Sequence, residues 1–195
     1  MASYSNVDGT GGVTPPATVR VWDPFVRIFH WSLVALFAIA FLSADEIEGL
    51  HLWAGYAIAA LVGLRIVWGF VGPRHARFSD FVRGPTAIWS YVKSAMHLDA
   101  PRTLGHNPAG GAMIIALLVM LVGLSATGIL MTTDMYWGSK ALEEIHEALA
   151  YSTLLLVGLH IVGVIFASVE QGENLVKSMV TGKKRVLEDE HESKT

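Results

Sequence analysis

Four apolar runs of bilayer-spanning length limit what this chain can fold into. They cover about residues 24–44, 51–71, 108–131 and 146–169, each near the ~20 residues a helix needs to cross ~30 Å of hydrocarbon. Inside lipid every backbone N–H and C=O must be satisfied by the protein itself, so uninterrupted runs of this length are read as helices. A chain of 195 residues that is 52% hydrophobic and 16% charged, with a mean hydropathy of +0.46, is too apolar for an ordinary soluble domain. The expected fold is all-α: a transmembrane four-helix bundle.

Local signals agree with that division. Asp23-Pro24 and Asn107-Pro108 each read as an N-cap followed by proline at the first helical position. Gly72-Pro73 reads as a stop. Residues 1–18, rich in Gly, Ser, Thr and Pro, are expected to be a disordered tail without a signal peptide, since no basic stretch precedes an apolar one there. Residues 19–182 form the expected membrane domain, and 183–195 a charged, solvated tail.

Charge placement gives the orientation. Arg20 and Arg27 flank the start of the first span, Arg74, Arg77, Arg83, Lys93 and Arg102 fill the connection between the second and third, and Lys177, Lys183, Lys184 and Arg185 follow the fourth. The other two connections hold Asp45, Glu46, Glu48, Asp134, Glu143 and Glu144 against a single Lys140. By the positive-inside rule both termini are expected in the cytoplasm.

Within HEALAYSTLLLVGLH, His146 and His160 are fourteen residues apart. That is two heptads, so the rings share a helix face, drifting only ~40°, at depths ~21 Å apart. Histidine is costly in lipid and marks function there. His51 opens the second span at the outer depth of His146; His30, fourteen residues before Ala44, lies at the inner depth of His160. The candidate pairs are thus His51 with His146 and His30 with His160, suited to axial ligation of two haems inside a bundle. The competing reading is interfacial placement for His51 and His146, and hydrogen-bonded burial for His160. With no cysteine, covalent haem attachment, iron–sulfur ligation and thiolate catalysis are excluded, so any haem is held non-covalently.

Arg65 follows His51 by fourteen residues. It either pairs with a haem propionate or snorkels to the headgroups. His106, in LGHNPAGG, either touches a propionate or quinone or simply shapes the helix entry. Gly55, Gly63, Gly123, Gly128, Gly158 and Gly163 permit close helix packing and equally leave room for a porphyrin. Trp22, Trp31, Trp53, Trp68 and Trp137 are read as interfacial anchors. Pro85 opens TAIWSYVKSAM, whose apolar stripe of Ile88, Trp89, Val92, Ala95 and Met96 suggests a short interfacial helix.

VWDPFVRIFHW, HLWAGYAIAALVGLRIVWGFVGP, LGHNPAGG and HEALAYSTLLLVGLH resemble the prokaryotic cytochrome b561 family, which includes the cytochrome b subunits of membrane-bound nickel–iron hydrogenases. The resemblance spans about residues 19–182. It implies a di-haem b-type cytochrome of the bacterial inner membrane, with His30, His51, His146 and His160 as ligands. It further implies electron exchange with a membrane quinone, ubiquinone or menaquinone, and with a redox partner such as a periplasmic c-type cytochrome. Nucleic acid is not an expected partner. The expectation is an electron-transfer protein or oxidoreductase subunit. The alternatives are direct quinone-coupled action on a small substrate such as superoxide, or service to a hydrogenase.

Overall fold

The computed structural model describes residues 18–185; most of both expected tails, residues 1–17 and 186–195, lies outside it. The elements run β1 (Thr18–Arg20), α1 (Pro24–Ser43), α2 (Glu48–Val71), a 3-10 turn at Arg74–Ala76, α3 (Phe78–Phe81), α4 (Pro85–Met96), α5 (Pro108–Met131), α6 (Lys140–Glu170), α7 (Leu175–Thr181) and β2 (Lys183–Arg185). α1, α2, α5 and α6 are long and apolar enough to cross a membrane. Asp23 caps α1 by accepting from Val26 N at 3.1 Å, and Asn107 caps α5 by accepting from Gly110 N at 2.6 Å. Helix α6 starts at Lys140 rather than at His146, because KALEE, though polar, consists of strong helix formers that extend it one and a half turns beyond the apolar run.

α1 packs on α2, α2 on α5, and α5 on α6. The core lies among the first three, where Ala40, Ala54, Ile58, Val62 and Leu121 are buried against Leu33, Leu36, Phe37 and Ile39. α1 and α6 meet through few side chains; Phe41 and Tyr151 do so edge-on at 5.8 Å. Outward-facing Leu42, Phe70, Val71 and Val169 are largely exposed, as expected of surface solvated by acyl chains. The short helix expected after Pro85 is α4: Tyr91 is buried, while Trp89 and Met96 face out.

A two-stranded antiparallel ribbon closes one end of the bundle, pairing Thr18 with Arg185, Val19 with Lys184 and Arg20 with Lys183. The Gly182 carbonyl accepts from Val21 N at 2.9 Å and Trp22 N at 3.2 Å. Gly182 ends α7 at φ 80°, and a Cβ there would lie 2.9 Å from the Trp22 carbonyl; both the left-handed conformation and the close approach require glycine. Arg102 donates to Glu173 Oε2 at 2.6 Å and to the Arg185 carbonyl at 2.7 Å, and Arg185 N donates to Glu173 Oε1 at 2.8 Å.

The chain from residue 183 does not begin as the expected solvated tail. Its first three residues are strand, and Lys184 is buried, its Nζ donating to the Thr103 carbonyl at 3.2 Å and lying 5.6 Å from the centre of the Trp22 ring. Carbonyl, aromatic face and the nearby Glu173 replace water around that ammonium. Trp22 is likewise no interfacial anchor: it is buried, with Nε1 donating to Ser178 Oγ at 3.3 Å.

Candidate functional site

The fold brings together both histidine pairs. Near the ribbon end, His30 of α1 and His160 of α6 have ring centres 6.4 Å apart. Towards the far end, His51 of α2 and His146 of α6 have ring centres 6.1 Å apart. With an imidazole nitrogen held about 2.0 Å from a metal and the ring centre about 1 Å behind it, two rings gripping one iron have centres about 6 Å apart. Both pairs stand at that separation.

At the far end the tautomers follow from the partners. His51 Nδ1 lies 2.8 Å from the Ala40 carbonyl, in the last turn of α1. A carbonyl only accepts, so Nδ1 carries the proton and Nε2 keeps a lone pair. His146 Nδ1 lies 2.8 Å from Thr127 Oγ1, whose own proton goes to the Gly123 carbonyl at 2.9 Å, so His146 is again the donor. This is the outer support that metal-binding imidazoles use. A cavity of about 370 Å³ opens beside the pair, lined among others by Phe37, Gly55, Tyr56, Leu124, Gly128 and Tyr151. A Cβ at Gly128 would press on His146 Cε1 at 3.2 Å, whereas one at Gly55 would meet nothing within 4 Å.

At the ribbon end, His30 Nδ1 is buried without a hydrogen-bond partner. Gly63, Gly158 and Gly163 face open space. Among the described residues no three His, Asp or Glu side chains converge. Two imidazoles alone are a poor cage for zinc, which takes four ligands, but they complete an iron whose other four ligands come from a porphyrin. The residues present therefore fit haem.

Arg65 is 3% exposed, which decides against snorkelling. Its guanidinium lies 5.3 Å from the Phe78 ring, and its Nη1 has no partner. Phe25 of α1 meets Trp68 of α2 at 4.7 Å; on antiparallel helices this sets His30 level with Gly63, and Arg65 about 3 Å nearer the ribbon. His106 lies between Trp22, at 4.4 Å, and Phe81, at 4.9 Å, with its Nδ1 buried and unpartnered. Burial, then the charges of Arg65 and Lys184, push its pKa down to about 3, so the ring is neutral.

Sequence reasoning missed Thr127 and the Ala40 carbonyl as supports of the far-end imidazoles. A hydroxyl inside the apolar run of α5 was the available signal for Thr127; nothing in sequence marks a particular carbonyl.

The family model for prokaryotic cytochrome b561 matches residues 21–182. The chain is 21% identical over 231 residues to a probable Ni/Fe-hydrogenase B-type cytochrome subunit of Bradyrhizobium diazoefficiens, covering 94% of this chain and 92% of that one. It is 27% identical over 154 residues to a protein of the same description from Azotobacter vinelandii, covering 65% of this chain and 64% of the relative. No solved structure matches.

Proposed function

The chain belongs to the prokaryotic cytochrome b561 family, and from that premise we propose that it carries electrons across the bacterial inner membrane through two b-type haems, one held by each histidine pair. The observation that carries this is the separation of the rings, 6.4 Å for His30–His160 and 6.1 Å for His51–His146. When bound, haem supplies one-electron exchange at its iron. His30 with His160, and His51 with His146, would hold the two irons, and a pair of imidazoles on each would favour electron transfer over ligand binding at the metal. Ala40 and Thr127 hold the far-end imidazoles in the ligating tautomer, and the apolar walls exclude water.

The ribbon end is cytoplasmic in this proposal, following the basic residues that cluster there; the His30–His160 haem is then the inner one. Arg65, buried and with an unpartnered Nη1, would be the residue to hold one of its propionates. An apolar groove of about 230 Å³, lined by Ile66, Phe78, Ile115, Leu118, Val119 and Val122, supports approach of a membrane quinone, ubiquinone or menaquinone, from lipid at that end. The acidic far-end turns, with Asp45, Glu46, Glu48, Asp134, Glu143 and Glu144, suit docking of a basic periplasmic partner such as a c-type cytochrome.

A reduced-minus-oxidised spectrum with a haem-to-protein ratio tests the core of the proposal. The expected ratio is near two; colourless protein overturns it. His160→Ala should remove the inner haem and spare part of the outer, and retention of both overturns the assignment. The names of both relatives favour a second possibility, that the chain is the cytochrome b subunit of a membrane-bound hydrogenase. Co-purification with a nickel–iron subunit and hydrogen-dependent haem reduction would select it.

A further inference from the structure

We propose that Arg65 and His106 form a two-donor clamp for one propionate carboxylate of the inner haem, which makes His106 a positioning residue for that cofactor. The inference rests on the haem assignment above and adds to it a residue from the entrance to α5.

Arg65 is a buried cation without an ion pair among the described residues. Carboxylates at the ribbon end make other contacts. Asp23 accepts from Val26 N at the start of α1. Asp80 is held by Arg74 at 3.3 Å and His75 at 3.1 Å. Glu173 is held by Arg102. A short aromatic chain links the two donors: the Arg65 guanidinium lies 5.3 Å from the Phe78 ring, Phe78 lies 5.9 Å from Phe81, and Phe81 lies 4.9 Å from His106. A buried guanidinium without a carboxylate beside it is costly, and an incoming carboxylate offsets that where a neutral quinone carbonyl does not. His106, neutral and with an unpartnered buried Nδ1, supplies an N–H without adding a like charge beside Arg65. The level of Arg65, just to the ribbon side of His30, is where a propionate of a porphyrin between His30 and His160 can reach.

The test is a redox titration of both haems across the neutral pH range in Arg65→Gln, His106→Phe and His106→Gln. Loss of the cation or donor leaves the carboxylate charge uncompensated near the iron, so reduction becomes harder. The carboxylate also then takes up a proton on reduction. Expected in Arg65→Gln and His106→Phe is a more negative inner-haem midpoint that acquires pH dependence, with the outer haem unmoved. His106→Gln, which keeps a neutral N–H donor, should lie close to the unmodified protein. Selective loss of the inner haem in Arg65→Gln counts in favour; if that variant loses both haems, the His106 pair decides. Unchanged potentials in Arg65→Gln and His106→Phe overturn the clamp, and if quinol oxidation alone is lost the pair serves quinone instead. Failure of the underlying assignment shows separately, as a haem ratio far from two in the unmodified protein.

Discussion

His146 rests its Nδ1 proton on the Thr127 hydroxyl at 2.8 Å. The matching support of His51 is a main-chain carbonyl, which no substitution removes, so the far-end site is adjustable from one side only.

Thr127→Val keeps the shape of the side chain and deletes the acceptor. Loss of such a supporting group lowers metal-site affinity about 10–100-fold. Haem titration into the apoprotein should show one weakened site and one unchanged; two unchanged sites would refute the role of Thr127.

Gly55 borders the far-end cavity and has no neighbour within 4 Å of where a Cβ would sit. In Gly55→Leu the membrane level of the protein should hold, because the added side chain starts in open space and points into the cavity, while the outer haem is displaced. If both haems remain, the cavity is not the porphyrin's seat.

Glu173 ties the ribbon to the end of α6. Burial raises its pKa, but the hydrogen bonds from Arg185 and Arg102 and the charges of Arg102 and Lys184 outweigh that and hold the carboxyl below its usual 4.5. A carboxyl lowered on folding stabilises fully above its unfolded value, and that stabilisation fades as pH drops through the folded one. Glu173→Gln should therefore cost about 2–3 kcal/mol near neutrality. Unfolding in detergent followed by circular dichroism should show the gap closing in acid. A gap independent of pH would mean the carboxylate charge is irrelevant.

Because the chain has no cysteine, single introduced thiols report sidedness cleanly. An impermeant maleimide applied to spheroplasts should label Thr133→Cys, in the far-end turn, and spare Ser90→Cys, on α4. The reverse pattern would invert the orientation inferred from the basic residues.

The four spans and the pairing of the histidines were legible because each leaves a local, countable trace: apolar length in one case, a fourteen-residue interval in the other. The ribbon was not, since Val19 and Lys184 meet across the whole domain and Lys183-Lys184-Arg185 reads as a solvated run unless one knows that Glu173 and the Trp22 ring wait for it. Arg65 was legible as a candidate but not as a buried one. Its depth along α2 is the same whether the side chain turns to lipid headgroups or to the interior, and only packing against Phe78 separates the two. His106 stayed ambiguous for a similar reason, its neighbours Trp22 and Phe81 coming from distant stretches of the chain.

The clasp between β1 and β2 has a consequence for biogenesis. Its first half precedes all four spans and its second half follows them, so during synthesis it snaps shut only after the last helix has entered the bilayer. Until then α1 and α6 are tethered to each other by no backbone pairing; once shut, the same clasp ties the first span to the last and limits how far they can part at that end.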